Sequence, residues 1–179
     1  CAQVSHVFLA DIPAYPKLLA ITDAEVNIAP DLSAKAAILQ HAIDLMASIG
    51  VDLPKAAILS AVETVNPLIS SSLDAAALSV MSHRGQVRGA LVDGPLAFDN
   101  AISLKAAEVK GIASPVAGDA DILLVPDLVS GNILAKNLEY MADATLAGLV
   151  LGLNAPIVLP SRADPVDARL AGLALARLS

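Results

Sequence analysis

Tryptophan is absent from this chain of 179 residues, and aromatic side chains make up only 2% of it. That argues against a nucleic-acid surface built on stacked rings. Basic residues are also scarce. Eleven Lys and Arg against 18 Asp and Glu give a net charge of −7, the wrong sign for a phosphate backbone. The single cysteine, Cys1, leaves no disulfide framework and no cysteine metal site, and the expected compartment is the cytoplasm. A chain that opens on Cys1 is expected to have residues before it. No unbroken apolar run is long enough for a membrane span, although 56% of the residues are hydrophobic. The longest apolar stretch, Ala144 to Pro160, is interrupted by Gly148, Gly152, Asn154 and Pro156. It falls short of the roughly 20 residues that a spanning helix needs. No secretory signal pattern is visible. His6, His41 and His83 lack metal-ligand spacing and are expected to be structural. The glycine-rich dinucleotide and P-loop fingerprints, the nucleophile elbow and the zinc-protease motif are all missing.

What is present is an alternation of short apolar runs with amphipathic stretches. His6–Ile12 and Leu18–Thr22 read as two strands joined by "PAYPK", and Pro13 and Pro16 point to an edge hairpin. "LSAKAAILQHAIDLMASIG" reads as a helix with Gly50 as its stop. Strands are then predicted at Lys55–Val62, Arg88–Val92, Ile122–Val125, Leu146–Leu151 and Ile157–Leu159. Helices are predicted at Ser72–His83, Asp99–Lys110, Ser130–Met141 and Pro165–Leu178. Apolar runs without polar alternation are buried on both faces, and their alternation with helices predicts an α/β domain. The expected architecture is a mostly parallel sheet flanked by helices, with an antiparallel edge hairpin near the N-terminus.

Ligands bind beyond the carboxyl ends of parallel strands. Polar residues follow several of the predicted strands: Glu63 and Asn66; "DGPLAFDN" from Asp93; "PDLVSGN" with Asp127, Ser130, Gly131 and Asn132; and "PSRAD" with Ser161 and Arg162. In a parallel sheet these groups converge on one rim. "DGP" is equally ordinary turn chemistry, and Asp127 or Ser130 is equally a helix cap. Asp93 and Asp127 at adjacent strand ends would suit Mg²⁺, but no further ligand is supplied. Asp164, Pro165 and Asp167 form a helix start, so Arg162 either pairs with Asp164 or marks an anion site.

In these motifs the chain resembles the phosphate acetyl/butyryl transferases, or phosphotransacylases. The matching stretches are "DGPLAFDNAIS", "SPVAGDADILLVPDLVSGN" and "PIVLPSRAD". Upstream, "ITDAEVNIAPDL" and "LSAVETVNPLISSSLDAAAL" are similar to the butyryl and enoyl-hydratase-associated branch. The resemblance implies an isocitrate/isopropylmalate dehydrogenase-like second domain at residues 1–160. Residues 161–179 would be a C-terminal segment returning to a first domain that lies before this chain. The implied reaction converts acyl-CoA and phosphate into acyl phosphate and CoA. Coenzyme A is a substrate, no metal or cofactor takes part, and this domain forms a homodimer. Nucleic acid and membrane are not expected partners.

The resemblance also implies site residues. Ser161 and Arg162 match the Ser–Arg pair assigned to phosphate or acyl phosphate, and Asp127, Gly131 and Asn132 match a motif of this domain. Acetyl members carry an Asp, taken as the base, where this chain has Ala168, which leaves Asp164 and Asp167 as the nearest carboxylates and Asp167 as the candidate base. A thiol near pKa 8.5 and an Asp near 3.9 differ by about 6 kcal/mol in proton affinity, so any such base acts in concert with attack. The alternative is a non-catalytic ligand-binding or dimerisation domain derived from the family.

Overall fold

The computed structural model describes residues 3–159 and 166–178. Its strands are β1 (Ser5–Asp11), β2 (Leu19–Thr22), β3 (Lys55–Leu59), β4 (Leu91–Leu96), β5 (Ile122–Leu124), β6 (Thr145–Leu151) and β7 (Ile157–Val158). Its helices are α1 (Leu32–Ser48), α2 (Ser70–His83), α3 (Phe98–Ile102), α4 (Leu104–Val109), α5 (Leu128–Met141) and α6 (Val166–Leu178). The strands form one sheet in the order β4-β3-β5-β2-β1-β6-β7.

Helix boundaries follow local chemistry. Asp31 caps α1 by accepting from the Ala34 N–H. Beyond the last turn, Gly50 at φ +95° donates to Ala47, and Val51 donates to Met46. This is a Schellman closure, which needs the left-handed residue that glycine supplies. The predicted helix over Asp99–Lys110 is broken into α3 and α4 at Ser103, whose hydroxyl caps α4.

The sheet has a buried core on each face. Alternate residues of a strand supply opposite layers, as β5 shows: Ile122 and Leu124 join Ile38, Met46 and Leu78 on one side. Leu123 joins Phe8, Ile21 and Leu96 on the other. This double burial is why β5 reads as a continuous apolar run.

Three expectations need correction. First, the β1–β2 hairpin lies inside the sheet, with β5 and β6 as its outer neighbours. Pro13 and Pro16 fall in the connection beyond the strands, so they do not confine the pair to an edge. Second, parallel pairing is confined to β2–β5, β3–β5 and β3–β4, whereas β1–β2, β1–β6 and β6–β7 are antiparallel. The short turns after β1 and β6 allow hairpins but no crossover. Third, β4 begins later than expected, so Asp93, Gly94 and Pro95 lie within it rather than in a turn. Only β3 pairs with β4, and an edge strand tolerates a proline without an N–H. A Cβ on Gly94 would sit 2.8 Å from both Cβ and O of Ile58, so glycine lets β4 close on β3.

Helix α6 lies on β6 and β7, with Ala168 and Leu175 buried. Val166, Leu170 and Leu173 are exposed on the same helix.

Candidate functional site

Strands β2, β3, β4 and β5 all point the same way, so their carboxyl ends share one rim. Four local structures build it. After β2, the buried Asp23 accepts from the N–H groups of Glu25 and Val26 through Oδ1. Its Oδ2 accepts from the His6 N–H and the Asn27 amide. After β3, Ser60 and Ser71 share a hydrogen bond of 3.0 Å. Beside them, Glu63 accepts from Asn100 at 2.6 Å and pairs with Lys110, which also pairs with Asp99. The Lys110 ammonium holds both carboxyls below their ordinary pKa, and they in turn raise the lysine.

The fourth structure follows β5. Asp127 is the N-cap of α5, accepting from the Ser130 N–H at 2.9 Å and the Ser130 hydroxyl at 3.0 Å. Gly131 is buried, and a Cβ there would lie 2.6 Å from Val125 Cγ2 and 3.1 Å from Ala24. Asn132 donates to Glu25 at 3.0 Å. Gly131 and Asn132 thus seat α5 on the loop after β2, and Asp127 caps the helix. We expect Asp127→Ala to cost about 1 kcal/mol in urea denaturation, the usual loss of a cap. Asp127→Asn, which keeps a capping oxygen, should stay near wild type.

Between β3, β5, α2, α3 and α5 the rim opens into a cavity of about 330 Å³. Its walls include Leu59, Phe98, Val125 and Leu134, with the hydroxyls of Ser60, Ser71 and Ser130.

Ser161 and Arg162 lie outside the described residues. Asp167 is in the first turn of α6, and its side chain is also outside them. Convergence by strand direction does not extend to β7. Strand β7 is antiparallel to β6 and runs opposite to β3, β4 and β5, because a hairpin joins it to β6. Ala168 is buried beside Tyr140, Thr145 and Leu146. The expected pairing of Asp93 with Asp127 at adjacent strand ends does not form. Strand β3 lies between β4 and β5, and Asp93 Oδ1 accepts from the Gly94 N–H. Among the described residues, no three His, Cys, Asp or Glu side chains are grouped to hold a metal ion.

Two histidines have defined surroundings. His41 Nδ1 lies 2.8 Å from Ser5 Oγ, and burial lowers its pKa. His6 is fully buried edge-on to Phe8, and among the described residues neither ring nitrogen has a hydrogen-bond partner. Burial lowers its pKa from 6.5 to about 4, against the opposing charge of Asp23. The unfolded chain therefore binds this proton more tightly. The stability contributed by neutral His6 is complete above pH 6.5 and is lost as pH falls toward 4. About 3 kcal/mol is at stake. The urea midpoint should fall across that window, and His6→Leu should flatten the fall.

Sequence reasoning placed Glu63 and the motif ending at Asn100 on the rim, but missed Asp23 and the pairing of Glu63 with Lys110 and Asn100. Asp23 had a local signal, an Asp followed by turn residues whose N–H groups it can accept. The pairing had none, since its members are brought together only by folding.

The fold and rim define an α/β domain with a crevice at the carboxyl ends of its parallel strands. A family model described as "Phosphate acetyl/butaryl transferase" matches residues 1–176. The phosphate acetyltransferase of Rhizobium meliloti is 58% identical over 176 residues, covering 98% of this chain and 56% of that protein. A probable phosphate butyryltransferase of Bacillus subtilis (strain 168) is 50% identical, covering 97% and 58%. A branched-chain phosphotransacylase from Enterococcus faecalis V583 superposes with a TM-score of 0.89 at 36% identity, covering 98% of this chain and 62% of that one. The chain belongs to the phosphate acetyl/butyryl transferase family. It spans about half the length of the curated relatives it matches. Among the described residues, no helix is long and apolar enough to cross a membrane.

Proposed function

We propose that this chain supplies one domain of a phosphate acyltransferase, which interconverts acyl-CoA plus phosphate with acyl phosphate plus CoA. The carrying observation is the family match over residues 1–176, on a chain whose rim motifs form a crevice. In the direction of thioester formation, the CoA thiolate attacks the acyl carbon and a C–S bond forms. The bond from that carbon to the phosphate oxygen breaks, and phosphate leaves. Arg162 would meet two phosphate oxygens with its planar fork, and Ser161 would add a hydroxyl donor. As phosphate departs, Arg162 stabilises the charge that collects on it.

Asp167 is the proposed proton acceptor, since Ala168 stands where acetyl members have their carboxylate. A carboxylate is far more acidic than a thiol, so this group accepts the proton only as the sulfur attacks. No metal or organic cofactor is assigned a role, and coenzyme A enters as substrate. The exposed residues Val166, Leu170 and Leu173 of α6 suit contact with a preceding domain. We also assign the protein to a homodimer through this domain and to the cytoplasm.

The test is phosphate-dependent release of CoA thiol from acetyl-CoA and butyryl-CoA by the complete natural protein, followed with a thiol reagent. Turnover is expected. Binding of CoA without turnover would overturn this reading in favour of a non-catalytic domain.

A further inference from the structure

We infer that Lys105 is a self-acylation site: an acyl phosphate made by this protein transfers its acyl group to the Lys105 amine, in a cavity at the corner between α3 and α4. This rests on the transferase reading above, which supplies the acyl phosphate. An acyl phosphate is a mixed anhydride with phosphate as its leaving group, and lysine attacks such a carbon only as the free amine. The described residues hold six lysines. Five are engaged in ion pairs: Lys17 and Lys55 with Asp119, Lys35 with Asp74, Lys110 with Glu63 and Asp99, and Lys136 with Glu139. Each pair favours the ammonium form. Lys105 is exposed and, among the described residues, has no carboxylate partner.

The cavity, of about 320 Å³, gives this amine a setting that the other lysines lack. Asp99, Ser103, Lys105, Ala106, Val109 and Lys110 line it. Lys110, held as an ammonium by Glu63 and Asp99, is the cation for the phosphoryl group. The Asp99 carboxylate is already matched by that same lysine. Ser103 Oγ accepts from the Ala106 N–H at 3.3 Å, which leaves its hydroxyl proton for the acyl oxygen. Ala106 and Val109 present carbon to the acyl chain. In the transfer, the lone pair of Lys105 Nζ attacks the acyl carbon and a C–N bond forms. The bond from that carbon to the phosphate oxygen breaks. Phosphate leaves with the electron pair and takes the surplus proton from nitrogen. The products are an amide on Lys105 and inorganic phosphate, and the side chain loses its positive charge.

The test incubates the complete natural protein with acetyl phosphate, without CoA, and follows acetylation of each lysine by peptide mass spectrometry. The initial rate at Lys105 should exceed that at Lys17, Lys55 and Lys136 by at least about fivefold, the most that an exposed ion pair withholds from a lysine. The rate should saturate with acetyl phosphate, and inorganic phosphate should compete. Lys110→Gln, checked by thermal unfolding, should slow Lys105 by about fivefold through loss of the cation. A second arm supplies acetyl-CoA plus phosphate instead, from which the protein makes its own acyl phosphate, and Lys105 should again be labelled first. A Lys105 rate no higher than at the paired lysines, or one linear in acetyl phosphate and indifferent to inorganic phosphate, overturns the site and leaves the transferase reading standing. Rapid, saturable labelling by acetyl phosphate with none in the second arm supports the site and overturns the transferase reading.

Discussion

Asp23→Ala is expected to cost about 3–5 kcal/mol of stability, because buried donors then lose their acceptor. Two backbone N–H groups of its own loop, one from β1 and the Asn27 amide all point at this carboxylate. The β1 donor, the His6 N–H, is in a buried hydrogen bond and has no water to replace its partner. Total stability of a domain this size is about 5–15 kcal/mol, so the loss is a large fraction of the whole. It should appear as a lowered urea midpoint. The consequence reaches the candidate site. The loop that Asp23 holds carries Glu25, which accepts from Asn132, and Ile28, whose carbonyl accepts from the Leu128 N–H. Those contacts seat the start of α5 against the crevice. A change below about 1 kcal/mol would mean that the loop holds its shape without the carboxylate.

Asp23 also shows where a sequence stops being legible. Its turn partners are two and three residues away and follow a local rule. Its bond to β1 spans 17 residues and depends on β1 and β2 lying side by side. The element list was readable for the same reason: caps such as Asp127, stops such as Gly50 and apolar runs such as Ile122–Leu124 are local signals. Strand order was not readable. Apolar patterning states which faces are buried, but not which strand is the neighbour. Hence β1–β2 was expected at an edge, and β7 was expected to point with the parallel strands. Gly94 and Pro95 misled in another way. Their chemistry suits a turn, yet an edge position and a tight approach to Ile58 suit them equally. The rim motifs were readable as motifs, while Glu63, Asn100 and Lys110 met only in the folded chain.

Arg162→Ala should lower kcat/KM by at least about a hundredfold in the complete natural protein, the usual loss of one charge-stabilising donor. At room temperature that is about 2.7 kcal/mol of transition-state stabilisation. The reasoning starts from charge. Phosphate carries its negative charge on several oxygens, and more collects on it as it leaves the acyl carbon. A guanidinium answers with parallel donors in a fixed plane, whereas a lysine offers a point charge. Arg162→Lys should therefore recover only part of the activity. How the loss divides between kcat and KM then decides the role. A rise in the KM for phosphate with kcat unchanged would mean that Arg162 holds the ground state and the transition state equally. A fall in kcat marks an interaction that strengthens as phosphate departs. Thermal unfolding of the variant separates either result from loss of fold. Near-wild-type kcat/KM would remove Arg162 from the reaction, and the phosphate would then have to be held by groups outside this Ser–Arg pair.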